Sequence, residues 1–201
     1  MPKDHMDSLY NSKNILVRFV HNQRLDELAG LIPREGKKIL DAGCGEGHLI
    51  YKLNSQNPKN RYSGIDVTDI ALDSAKSKCP FADIRHMDIR KLDFPDGYFD
   101  VVIASEVLEH IQDYKKAVDE LKRVVKKDGL LIMSFPNEML WTISRMLLFR
   151  RPIKVPDHFN SFNPKMVKKM IGWPLLKQIN LPFKLPFHLS LTAVMVFKRD
   201  A

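Results

Sequence analysis

Cysteine is scarce in this chain, with only Cys44 and Cys79 in 201 residues, too few for a disulfide framework. Apolar runs are interrupted well short of the roughly 20 residues a membrane span needs. The N-terminal stretch lacks the apolar segment of a secretory signal. These absences predict a reduced, cytoplasmic, soluble protein. Internal repeats and low-complexity tracts are also lacking, which excludes solenoid and fibrous architectures. With 44% hydrophobic residues, the chain is long enough to bury a full core as one domain over 1–201, with no room for a large accessory domain.

Acidic residues fall short of basic ones, giving a net charge of +8, and the shortfall is local. Through residue 137 the two signs balance, twenty-one against twenty-one; residues 138–201 hold eleven basic and three acidic residues. A positive last third suits an anionic substrate, RNA or an anionic membrane surface, or only a solvated exterior.

The stretch Ile39-Leu40-Asp41-Ala42-Gly43-Cys44-Gly45-Glu46-Gly47-His48-Leu49 reads as a buried strand, a glycine loop and a helix start. Alternate glycines allow positive φ and leave no Cβ to hold a ligand off the backbone. A dinucleotide fingerprint, G-x-G-x-x-G, needs its last glycine where His48 stands, so that reading fails. Asp41-Ala42-Gly43-Cys44-Gly45-Glu46-Gly47 instead resembles the first motif of class I S-adenosylmethionine-dependent methyltransferases. An acid suits that cofactor, which carries a cationic ammonium and no pyrophosphate.

Asp66, about twenty residues beyond the loop, stands where nucleotide-binding α/β folds place an acid on the ribose hydroxyls. Its alternative role is to cap the following helix, which Asp69 also suits. The resemblance implies that Asp88 accepts from the adenine amino group, with Met87 and Ile89 against the ring. It makes Asp41, Gly43, Cys44, Gly45, Gly47, Asp66, Val67, Met87, Asp88, Ile89 and Ser105 the expected cofactor contacts. Cys44 reads as a small packing residue rather than a nucleophile.

Apolar periodicity predicts a helix or two over 15–32, strands over 61–67, 82–89, 101–104 and 130–135, and a helix over 113–127 stopped by Asp128-Gly129. This alternation predicts a doubly wound, mostly parallel Rossmann-like α/β sheet, with its ligand at the carboxyl ends where Asp41, Asp66, Asp88 and Glu106 fall. By resemblance, 1–33 is a helical lid, in which Tyr10 suits core or lid packing better than a ligand contact. Residues 138–172 cap the acceptor site, and the last two strands, over 175–181 and 189–197, include an antiparallel one.

Glu106, Glu109 and His110 form E-x-x-E-H. If a helix begins here, they share a face, and two carboxylates and an imidazole would hold Mg²⁺ or Mn²⁺. The run resembles ubiquinone-biosynthesis O-methyltransferases and small-RNA 2′-O-methyltransferases, which also have a downstream histidine, here His158. Without a metal, Glu106 and His110 are the candidate catalytic residues, His110 as the acceptor-site base. The apolar run from Met139 to Phe149, ending Arg150-Arg151, suits either a buried lid helix or an interfacial helix at a membrane admitting a lipid-like acceptor. The expected activity is methylation, at oxygen, of a small or lipid-like acceptor. RNA 2′-O-methylation and a non-catalytic cofactor-binding module are the alternatives.

Overall fold

The computed structural model describes residues 15–33, 35–147 and 158–200. The elements are α1 (Ile15–Gly30), β1 (Lys38–Ala42), α2 (His48–Gln56), β2 (Arg61–Asp66), α3 (Asp69–Lys78), β3 (Asp83–His86) and β4 (Phe99–Ser105). A 3-10 turn (Leu108–His110) follows, then α4 (Tyr114–Val124), β5 (Val125–Pro136), α5 (Glu138–Leu147), α6 (Pro164–Ile171), β6 (Leu175–Leu181) and β7 (Thr192–Lys198). Tyr10 and Arg150-Arg151 lie outside the described residues.

Seven strands make one sheet in the order β3-β2-β1-β4-β5-β7-β6, with β7 antiparallel to both neighbours. The expected doubly wound sheet and its antiparallel C-terminal strand are therefore present. The central strands are apolar almost throughout because both faces are covered. Ile39, Val101, Ile103, Ile132 and Val194 point to one core, shared with Leu28 of α1, Leu53 of α2 and Leu72 of α3. Their neighbours Leu40, Val102, Leu131 and Met195 point to the other, shared with Leu121 of α4 and Val167 of α6. The strand order reverses between β1 and β4, so the crevice at their carboxyl ends is the switch point where such sheets bind ligands.

Several boundaries differ from the sequence reading. The segment 15–32 forms a single helix to Gly30, but α4 stops at Val124 and Asp128-Gly129 does not end it. The β-branched Val125 is fully buried and already paired with Phe99; the Asp-Gly step, with Asp128 at φ 60°, falls where the β4–β5 register shifts. Strand β3 ends at His86, because Asp88 turns the chain by accepting the Arg90 N–H at 2.9 Å. No helix starts at Glu106. Residues 108–110 form a 3-10 turn and Glu106 holds a left-handed φ of 55°, so E-x-x-E-H does not share a helical face.

Candidate active site

Gly43, Gly45 and Gly47 all adopt positive φ, at 84°, 50° and 77°, and turn the chain from β1 into α2. The Ile65 carbonyl accepts from Gly43 N–H (2.8 Å) and Cys44 N–H (2.9 Å), and the Asp66 carboxylate accepts from Gly45 N–H (3.0 Å) and Thr68 N–H (2.9 Å). A Cβ on Gly43 would lie 2.3 Å from Val107 Cγ2, so the glycine loop packs directly under the loop that leaves β4.

Asp41, at the end of β1, is 3% exposed, and its carboxylate accepts no hydrogen bond from the described residues. Burial, followed by the neighbouring charge of Asp66, pushes its carboxyl up from 3.8 to about 7. A buried acid with no cationic partner among the described residues, beside a glycine cradle, fits the ammonium of S-adenosylmethionine.

The other expected cofactor contacts divide. Val67 stands exposed beyond Asp66, and Met87 is tied to it by its N–H on the Asp66 carbonyl at 3.0 Å. Asp88 is partly exposed and engaged by Arg90 Nη2 at 2.6 Å, which holds its carboxyl below the usual range. Ile89 and Cys44 are buried in the two cores, and burial pushes the Cys44 thiol up, against a nucleophilic role. Ser105 pairs with Ser134 across β4 and β5, Oγ to Oγ at 2.9 Å.

Beyond β4 the acids and imidazoles separate into two groups. One ligand atom each from Glu109, His110 and His158 lies within 4.8 Å of the others. The His110 and His158 rings meet edge to face at 4.5 Å between centroids. Glu106 is not in that trio. It accepts from Ser134 Oγ at 3.1 Å and pairs with Arg24 of α1 at 3.3 Å. The four-ligand expectation is therefore reduced to three.

Glu109 is 1% exposed and neither of its carboxylate oxygens has a hydrogen-bond partner. Burial, then repulsion from Glu106, holds its carboxyl well above the usual range. Burial also raises Glu106, opposed by the Arg24 guanidinium. The segment carrying His158 is strapped to this turn: the Glu109 carbonyl accepts from Phe159 N–H at 2.8 Å, and Asn160 Nδ2 donates to Ile111 O at 2.7 Å and Leu108 O at 3.2 Å.

Sequence reasoning missed Arg24, Ser134, Asn160 and Glu138, whose Oε1 lies 2.6 Å from His158 Nδ1. Arg24 had a detectable signal. With His21 and Leu28 it occupies the core-facing stripe of α1, where a solvated arginine does not belong.

The fold and the glycine loop define a doubly wound domain built for an adenosyl cofactor. Residues 40–133 match the family model described as a methyltransferase domain, and the chain is similar to S-adenosylmethionine-dependent methyltransferases. An uncharacterised methyltransferase of Schizosaccharomyces pombe is 36% identical over 158 residues, 69% of this chain and 55% of that protein. A ubiquinone biosynthesis O-methyltransferase of Neisseria meningitidis serogroup C is 32% identical over 121 residues, 57% of this chain and 50% of that one. The chain spans about half the length of the curated relatives it matches. The structure of magnesium protoporphyrin IX methyltransferase from Synechocystis PCC 6803, solved with S-adenosylhomocysteine, superposes with a TM-score of 0.77 at 18% identity. That match covers 98% of this chain and 94% of the other and concerns the fold.

Proposed function

We propose that the protein transfers a methyl group from S-adenosylmethionine to an oxygen of a small or lipid-like acceptor. The observation that carries this reading is the trio of buried Glu109 and half-buried His110 and His158, gathered at a turn that packs through Val107 onto the glycine loop. Acceptor chemistry and donor site are thereby neighbours, as an in-line displacement requires. The Neisseria relative, named as an O-methyltransferase, supports oxygen as the acceptor atom.

Bound S-adenosylmethionine supplies an electrophilic methyl on a sulfonium. Asp41 holds the ammonium end, Asp66 the ribose, and Met87, Val67 and Asp88 the adenine. An acceptor hydroxyl must lose its proton as the new C–O bond forms, and His110 is the base assigned to take it. Glu138 on His158 Nδ1 leaves Nε2 of that ring for the acceptor side. The helix α1 acts as a lid whose Arg24 neutralises Glu106, and residues 138–172 act as the acceptor-site cap.

The orphaned Glu109 carboxylate, with two imidazoles within reach, also fits a divalent cation of the Mg²⁺ or Mn²⁺ class. Such an ion would lower the pKa of an acceptor hydroxyl. Glu109, His110 and His158 would hold it.

The test is methyl transfer from labelled S-adenosylmethionine to a panel of soluble and lipid-linked phenols, with Mn²⁺, Mg²⁺ or a chelator present. Labelled ethers, lost in His110→Ala, are expected. Cofactor binding with no turnover across the panel, or label on nitrogen or carbon, overturns the reading. Full activity in the chelator removes the metal.

A further inference from the structure

Helix α5 carries its apolar stripe outward. Met139, Ile143 and Met146, spaced i, i+4 and i+7, are all exposed, Met139 at 59%. Helix α1 repeats the pattern at its start, where Ile15 and Phe19 are exposed, Ile15 at 71%. A third exposed group, Phe183 and Leu185, lies on the connection between β6 and β7.

These segments adjoin one another. The His21 and Trp141 rings join α1 to α5 at 6.2 Å between centroids, and Gln23 Nε2 donates to Pro182 O at 2.8 Å. Asn137, just before α5, donates through Nδ2 to Phe187 O at 2.8 Å. The face lies at the carboxyl end of the sheet, because α5 leaves β5 there and Pro136 pairs with Thr192 at the start of β7. It borders the acid and histidine trio, since Glu138, the first residue of α5, contacts His158.

Exposed apolar side chains on this scale mark a surface that something covers. Charge identifies the occupant. In the sequence Arg18 adjoins Phe19, Arg145 adjoins Met146, and Lys184, which pairs with Glu27 at 3.1 Å, lies between Phe183 and Leu185. Apolar helix faces flanked by cations match an anionic lipid surface. A second copy of the chain would set these cations against each other. No described helix is long and apolar enough to cross a membrane, so the contact would be interfacial.

We propose that this face docks on an anionic bilayer, with α1 and α5 in the headgroup region and the acceptor site beside them. The inference deepens the lipid-like acceptor reading, but docking is measured without turnover, so either can fail alone.

The experiment is flotation of the full chain with vesicles of phosphatidylcholine alone or mixed with phosphatidylglycerol. The protein is expected to float with the mixed vesicles and stay behind with the neutral ones. The variant Phe19→Ser/Ile143→Ser/Met146→Ser, altered only at exposed positions, should lose about tenfold or more in partitioning. Its circular dichroism and cooperative thermal unfolding should match the wild type, which establishes that it folds. Failure of the wild type to float with anionic vesicles at low salt overturns the proposal, as does undiminished flotation of the variant. Self-association of the wild type without vesicles, abolished in the variant, would assign the face to a second copy and also overturns it. Docking without transfer to lipid-linked phenols leaves docking standing and removes the lipid-like acceptor.

Discussion

Asp41→Asn should separate stability from cofactor binding. Asp41 ionises at about 7 in the folded protein against an ordinary value of 3.8, which is taken to hold in the unfolded chain. A folded pKa raised in this way means that folding favours the protonated form. Its stabilising contribution is complete below about pH 4, falls between about 4 and 7, and is lost above about 7. A shift of about three units corresponds to about 4 kcal/mol, at about 1.4 kcal/mol per unit. Asparagine keeps the volume and cannot ionise. Denaturant unfolding of the cofactor-free protein at pH 8 should therefore find the variant more stable than wild type by about 2–4 kcal/mol. The gap should shrink steadily as the pH is lowered toward 4. Binding should move the opposite way. Titration calorimetry with S-adenosylhomocysteine should show weaker binding by the variant, and wild-type affinity rising with pH up to about 7, because the ammonium requires the ionised acid. A variant no more stable than wild type at pH 8 would mean that the buried charge is compensated, and the reasoning would fail. Undiminished affinity would show that the ammonium binds elsewhere.

Gly43→Ala places a Cβ against Val107 at a φ of 84°; thermal unfolding should show a loss of about 2–5 kcal/mol from backbone strain and overpacking. A double-mutant cycle with Val107→Ala should recover about 1–3 kcal/mol of it, and no recovery would deny the contact. Asn160→Ala removes both side-chain bonds of the strap, leaving its backbone bonds to Glu109 O, and should cost about 1–3 kcal/mol, with a larger proportional fall in turnover than in cofactor affinity. Asn163 caps α6 through the Met166 N–H at 3.0 Å; Asn163→Ala should cost about 1 kcal/mol in a denaturant titration and leave cofactor binding alone. Mn²⁺ should raise the melting temperature of wild type and not of Glu109→Gln; equal shifts would exclude Glu109 as a ligand.

The sequence exposed the donor side of the site more fully than the acceptor side, for a physical reason. Three alternate glycines record a backbone requirement, and the central strands are apolar on both faces, so each is visible in a few consecutive residues. The turn after β4 is different. Its neighbours come from far along the chain, Arg24 onto Glu106 and Glu138 onto His158, and no local periodicity encodes them. The E-x-x-E-H spacing suggested a helical face, but the left-handed Glu106 sends its carboxylate to Arg24 and Ser134 instead. Asp128-Gly129 had the chemistry of a helix stop and was used as a strand irregularity, because burial of Val125 outweighed the local signal.

On the proposed reading, Asp66 performs two tasks with one carboxylate. It fastens the glycine loop through Gly45 and Thr68, and it stands where a ribose would be gripped. A change at this position cannot trim donor affinity in small steps, since whatever weakens the grip also unfastens the loop that shapes the pocket. Tuning by substitution must come from residues that touch the donor and brace nothing, and exposed Val67 is the candidate for that role. An engineer seeking to admit a bulkier donor analogue should begin there and leave Asp66 untouched.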